Sequence, residues 1–140
     1  MDEYAARPIA YFSHDANAHA DIKCKRLKRK LGMAGYGRWW QLCEVLAGID
    51  GHHLPTATDD DWELIADFLE FPTTDEAKEF IDVLRGLQLI EPDMDFVWSK
   101  RMNKTAERVG KVRRGGARGN AKRWGISGGE SGGESPMESH

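Results

Sequence analysis

Nowhere in the 140 residues do eighteen apolar residues run together, so the chain carries no stretch that reads as a membrane-spanning helix. Cysteine is scarce. Cys24 and Cys43 are the only two, they form no CxxC pair, and they build neither a zinc site nor a disulfide framework. Both are expected to be reduced and packed. Where a secretory signal would place bases and then an apolar stretch, the first residues are the acids Asp2 and Glu3, so a cytoplasmic protein is expected. Walker and GxGxxG patterns are missing, and the glycines at 115, 116 and 119 have arginine neighbours and no buried strand before them. His14, His19, His52 and His53 share no ligand spacing with a carboxylate or thiol, and are read as surface or capping residues. Asp59, Asp60 and Asp61 fit a helix cap better than the convergent carboxylates of a metal-dependent nuclease. The expectation is a protein that is not an enzyme, with no cofactor and no metal.

Acid is absent from one stretch altogether. Residues 22–40 hold Lys23, Lys25, Arg26, Lys28, Arg29, Lys30 and Arg38, a local charge of +7. Residues 41–99 then hold fifteen acids against Lys78 and Arg85, and residues 100–124 hold ten bases against Glu107. The formal net charge of −3 conceals these blocks, and a polyanion responds to the local field rather than to the average.

Size and hydrophobic content suit one small domain with appendages. Residues 1–17, with Ile9, Tyr11 and Phe12, read as an extended lead-in. A short basic helix is expected over 18–31, with Cys24, Leu27 and Leu31 inward and Gly32 ending it. An aromatic helix follows from about Tyr36 to Ile49, carrying Trp39, Trp40, Cys43 and Leu46 at three- and four-residue spacing. Asp50 and Gly51 stop it, and His52–Leu54 before Pro55 has the length of a short strand. Thr58 with Asp61, and Thr73 with Glu76, have capping-box spacing and open two helices. The first, 59–69, buries Trp62, Ile65, Phe68 and Leu69; the second buries Ala77, Phe80, Ile81 and Leu84 and closes near Gly86. Leu87–Ile90 and Phe96–Ser99 flank a turn-rich loop of hairpin length.

The expected fold is therefore mainly α: a winged-helix domain over 18–99, made of a helix-turn-helix pair and a β-hairpin wing, with an extra basic helix in front. A basic helix over 100–114 follows, ended by Gly115 and Gly116. Residues 115–140, rich in Gly, Ser and Arg, are too poor in apolar residues to fold and read as a flexible tail.

Several short stretches carry a resemblance. Tyr11-Phe12-Ser13-His14-Asp15, Gly35-Tyr36-Gly37 ahead of the aromatic helix, and Gly51 with Leu54-Pro55 resemble the N-terminal module of phage and prophage replisome organisers, related to DnaD-like primosome proteins. The ending Arg113-Arg114-Gly115-Gly116-Ala117-Arg118 through Lys122-Arg123-Trp124-Gly125 is similar to the basic tail that follows such modules. The resemblance implies a winged helix that helps organise proteins on DNA at a replication origin, and modules that self-associate. Such proteins usually continue into a longer C-terminal part, so a truncated or stand-alone accessory protein is the expectation here.

The usual recognition helix of such a fold is acidic in this chain, with Asp75, Glu76, Glu79 and Asp82 against Lys78 and Arg85, and acids this close to phosphate are repelled. DNA binding is assigned instead to Lys23, Lys25, Arg26, Lys28, Arg29 and Lys30 on the first helix, and to Arg113, Arg114, Arg118, Lys122, Arg123 and Trp124 on the arm. Each set has a plainer reading, as a solvated face, a clamp onto the acidic core or a weak hydrophobic anchor. The function expected is a DNA-associated protein of phage or prophage replication that binds single- or double-stranded DNA with little sequence specificity. It would organise or adapt replication proteins, with acidic and basic faces of successive copies pairing head to tail. The alternatives are a winged-helix transcriptional regulator, which needs base readout and paired half-sites, and a protein-interaction adaptor that binds no DNA.

Overall fold

A computed structural model of the chain describes residues 1–12 and 21–124, with side chains to Arg118. Among them are five α-helices, α1 (Glu3–Ala6), α2 (Ile22–Gly48), α3 (Asp59–Leu69), α4 (Thr74–Gly86) and α5 (Lys100–Trp124), and two strands, β1 (Leu54–Pro55) and β2 (Phe96–Val97). None of the helices is long and apolar enough to cross a membrane.

The expected break between a basic helix and an aromatic one is present inside α2. Gly32 sits at φ 70° and ψ −168°, outside helical space, in a conformation that L side chains rarely adopt. The helix begins after Asp21, whose carboxylate accepts from the amides of Lys23 and Cys24. Cys24 and Leu27 are buried as expected, whereas Leu31 beside the break is exposed rather than inward. Beyond Gly32, Trp39, Leu42, Cys43, Leu46 and Ala47 line one buried face, and this half of α2 forms the centre of the core. Burial pushes the Cys43 thiol up to about 12, and burial together with the nearby Asp21 carboxylate raises that of Cys24.

The cap signals at α3 and α4 are local, and both hold. Thr58 and Asp61 form a full capping box. Thr73 accepts from the Glu76 amide and donates through its hydroxyl to the Glu76 carboxylate, which is half of such a box. Ala77, Phe80, Ile81 and Leu84 are the buried face of α4, as their spacing predicts, while on α3 Trp62 and Phe68 reach only partial burial. Arg38 closes α3, donating to the carbonyls of Leu69 (2.9 Å) and Glu70 (3.3 Å) with its guanidinium 4.1 Å above the Phe71 ring. A cation placed there meets the negative end of the helix dipole.

The hairpin expected between Leu87–Ile90 and Phe96–Ser99 is corrected. Leu87–Ile90 forms no strand, because these residues close α4: the Leu87 amide donates to Val83, Gln88 adopts φ 62°, and the Leu89 amide returns to the Leu84 carbonyl. One cross-loop bond survives, from the Glu91 amide to Trp98. The partner of β2 is β1, antiparallel, with Leu54 opposite Val97 and Pro55 opposite Phe96. Asp93 organises the turn just ahead of β2, accepting from the amides of Asp95 and Phe96 and from the Trp98 indole. The bonds from Asp95 and Trp98 hold its carboxyl below the usual carboxylate range.

Two further expectations change. The lead-in is not extended throughout, since Asp2 caps the helical turn α1, which packs on α5. Nor do Gly115 and Gly116 end α5, which continues to Trp124. Each glycine weakens a helix by about 1 kcal/mol relative to alanine, which does not by itself end one, and among the described glycines only Gly32 and Gly51 have the positive φ of a glycine stop. The first turns of α5 belong to the body of the protein, with Met102 and Ala106 in the core and Gly110 against the backbone of Ala5. The tail expected over 125–140 lies outside the described residues.

His52 corrects the reading of the histidines as surface or capping groups. It is fully buried, with Nδ1 2.7 Å from the Leu46 carbonyl oxygen and Nε2 2.8 Å from that of Ala5. One ring thus ties the end of α2 to α1. His53 is exposed, as expected, while His14 and His19 lie outside the described residues.

Candidate nucleic-acid interface

The first half of α2 sorts its basic residues by face. With Cys24 and Leu27 turned inward, Lys25, Arg26, Arg29 and Lys30 fall on the exposed arc. The other two are engaged within the chain: Lys23 Nζ donates to the Gln88 carbonyl at 3.0 Å, and Lys28 Nζ lies 4.7 Å above the Tyr36 ring. Ordered on about two helical turns, four exposed cations can meet neighbouring phosphates without folding first.

The arm is divided differently. Arg113 is partly buried and donates to the carbonyls of Tyr4 (3.1 Å) and Pro8 (2.8 Å). Arg114 pairs with the Asp2 carboxylate and lies 5.7 Å from the Tyr4 ring. These two arginines fasten the N-terminal segment to α5, whereas Arg118 is exposed. Lys122, Arg123 and Trp124 lie on the last turn of α5, beyond the described side chains.

Four bases outside the predicted set complete the picture. Lys100, Arg101 and Lys104, on the first two turns of α5, border a groove of about 660 Å³ together with Lys23 of α2 and Arg85 of α4. Two basic blocks far apart in sequence thus meet at one place. Sequence reasoning passed over the α5 residues because they read as background within a basic helix, and over Arg85 because acids outnumber bases on α4. One signal was available: Ser99 is followed by two bases and no acid in the first turn, the reverse of the usual preference at a helix start. Ser99 does cap α5, its hydroxyl accepting from the Met102 amide and its carbonyl from that of Asn103.

The acids occupy other elements. Asp75, Glu76, Glu79 and Asp82 are exposed along α4, and Asp59, Asp60 and Asp61 crowd the first turn of α3. Among the described residues no group of three or more His, Cys, Asp or Glu is placed to hold a metal ion.

These features define a small, mainly helical protein with a two-stranded sheet and segregated surface charge. A family model, described as Lin1244/Lin1753-like, N-terminal, matches residues 11–102, well over half of the chain. The chain belongs to this family, which is of phage and prophage type. No curated protein and no solved structure matches it.

Proposed function

We propose that the protein is a non-enzymatic, DNA-associated component of phage or prophage replication, a winged-helix variant related to the DnaD-like organisers. It holds nucleic acid by its basic helices and organises or adapts replication proteins. The observation that carries this reading is the ordered exposed arc of Lys25, Arg26, Arg29 and Lys30. The succession of α2, β1, α3, α4 and β2, with β1 paired to β2, supports a winged helix whose wing is reduced to one short strand. Because the exposed face of α4 is acidic, the fold does not dock that helix in the major groove, and little base readout follows.

Fluorescence anisotropy of labelled single- and double-stranded DNA with the full chain, across a salt series, tests this. With some six phosphates engaged, log affinity falls against log salt with a slope of about −5 on B-form DNA. Changing Lys25, Arg26, Arg29 and Lys30 together to Gln reduces the slope by roughly one unit for each phosphate left without its cation. No binding at low salt would discard the reading in favour of an adaptor that binds only proteins, and a slope indifferent to the fourfold change would discard the α2 arc as the DNA contact.

A second reading, assembly, draws on another observation. Leu31, Phe71, Phe80 and Val83 line a groove of about 500 Å³ in which Glu76, Glu79 and Asp82 outnumber the one lining cation, Arg38, which is engaged on Phe71 and the end of α3. Its apolar floor and acidic rim match the basic arm of a second copy, giving head-to-tail association. Sedimentation should then show oligomers that dissociate as salt rises. A monomer at every salt concentration, at micromolar protein, rules this out.

A further inference from the structure

Arg85 is in an unusual position. Its side chain is 9% exposed, Nη1 reaches Asp82 at 3.4 Å, and its buried Nε and Nη2 have no hydrogen-bond partner among the described residues. A guanidinium binds best through paired, parallel N–H groups, and leaving such donors unmet in a low-dielectric site is costly. Arg85 lines the 660 Å³ groove between the start of α2, the end of α4 and the start of α5.

The surroundings of that groove are positive for an independent reason. Lys100, Arg101 and Lys104 stand where the dipole of a 25-residue helix is already positive, with no acid in its first turn. Ser99 takes up the Met102 and Asn103 amides, while those of Lys100 and Arg101 lie ahead of the helix's own ladder. Two carboxylates also line the groove. Asp21 is turned to the α2 amides it caps, Glu91 opposes the cations from the lining itself, and Asp82 and Asp93 oppose Arg85 from outside it. Trp39, Leu89, Ile90 and Pro92 add apolar wall, and the volume lies within the usual range of small-ligand sites.

We propose that this groove is a phosphoryl-binding site, in which Arg85, Lys100 and Lys104 and the first amides of α5 receive the oxyanion while the apolar wall receives the attached nucleoside. The phosphate belongs to a nucleic-acid strand rather than to a free nucleotide; that choice of source rests on the DNA reading above, and the phosphate site itself does not. It adds to the outer arc of α2 a second point of attachment that fixes the path of the strand from α2 to α5. Lys23 stays in place as a strut, its ammonium held by the Gln88 carbonyl.

Proton–nitrogen correlation spectra of the full chain, titrated in turn with inorganic phosphate, a mononucleotide and a short oligothymidylate at constant ionic strength, test the proposal. Chloride at matched ionic strength serves as the control. The expected result is movement of the Arg85 Nε–H and of the Lys100 and Arg101 amides with phosphate and mononucleotide, and at lower concentration with the oligonucleotide. The exposed pair Lys100→Gln and Lys104→Gln should weaken phosphate binding by about tenfold or more and leave the rest of the spectrum intact. The exposed control pair Arg108→Gln and Lys111→Gln, further along α5, should leave phosphate binding unchanged.

No movement at these groups with phosphate, or equal weakening by both pairs, overturns the proposal. DNA binding through the α2 arc could survive that result, so the earlier reading would stand. Phosphate and mononucleotide binding without a response to the oligonucleotide would establish the site and overturn the strand as its source. Arg85→Lys is a further check, because it keeps the charge but loses the paired donors, and it should weaken phosphate binding while circular dichroism reports a folded protein.

Discussion

His52→Ala is expected to lower the unfolding free energy by roughly 3–5 kcal/mol, the sum of a buried cavity and an unmet carbonyl. The ring is fully buried between the Leu46 and Ala5 carbonyl oxygens, and alanine removes the ring N–H that donates to a buried carbonyl there. A domain of this size has about 5–15 kcal/mol in all, so the loss should move the urea midpoint far down. It should also free α1 before the rest unfolds, since the ring joins α1 to the end of α2. Amide exchange within α1 is the specific readout. A variant within about 1 kcal/mol of the parent, with α1 still protected, would mean that this bridge is not what holds the N-terminal turn.

The glycines of α5 provide the second large effect, and its sign depends on position. A Cβ at Gly110 would lie 2.8 Å from the Ala5 nitrogen and 2.9 Å from its Cα, and backbone cannot step aside as a flexible side chain can. Gly110→Ala is therefore expected to destabilise by about 1–3 kcal/mol despite alanine's better helix propensity. Gly115 and Gly116 have nothing within 4 Å of the same point. Alanine there should stabilise the helix by about 0.5–1 kcal/mol per site. Thermal melts followed by circular dichroism compare the three variants. A stabilising Gly110→Ala would show that α1 does not pack against α5 as described.

What could be read from the chain beforehand follows the range of the interactions. The caps at Thr58 and Thr73 and the inner face of α4 depend on residues three or four positions apart, and they are where periodicity placed them. The break at Gly32 depends on one residue and was equally legible. The partner of Phe96 and Val97 was not, because the closure of α4 consumed the nearby candidate strand and the true partner lies about forty residues upstream. Strands of two residues leave almost no alternation to detect. His52 could not be placed from sequence, because its burial depends on a carbonyl at residue 5.

The candidate interface divides along the same line. Its helix-borne bases were legible as a charge block. That Arg113 would turn inward to Tyr4 and Pro8, and that Arg85 would meet Lys100 and Lys104 across a groove, are products of tertiary packing.

The arginine pair on α5 has a consequence for how the chain comes apart. From Gly115 to Arg118 every side chain is exposed, and a short helical stretch with adjacent glycines is marginal in water when nothing packs on it. Among the described side chains, unwinding that passes inward from Arg118 meets its first tertiary anchors at Arg114 and Arg113, which are bound to Asp2, Tyr4 and Pro8. Those two residues act as a stop, so that fraying between Gly115 and Arg118 ends short of the core.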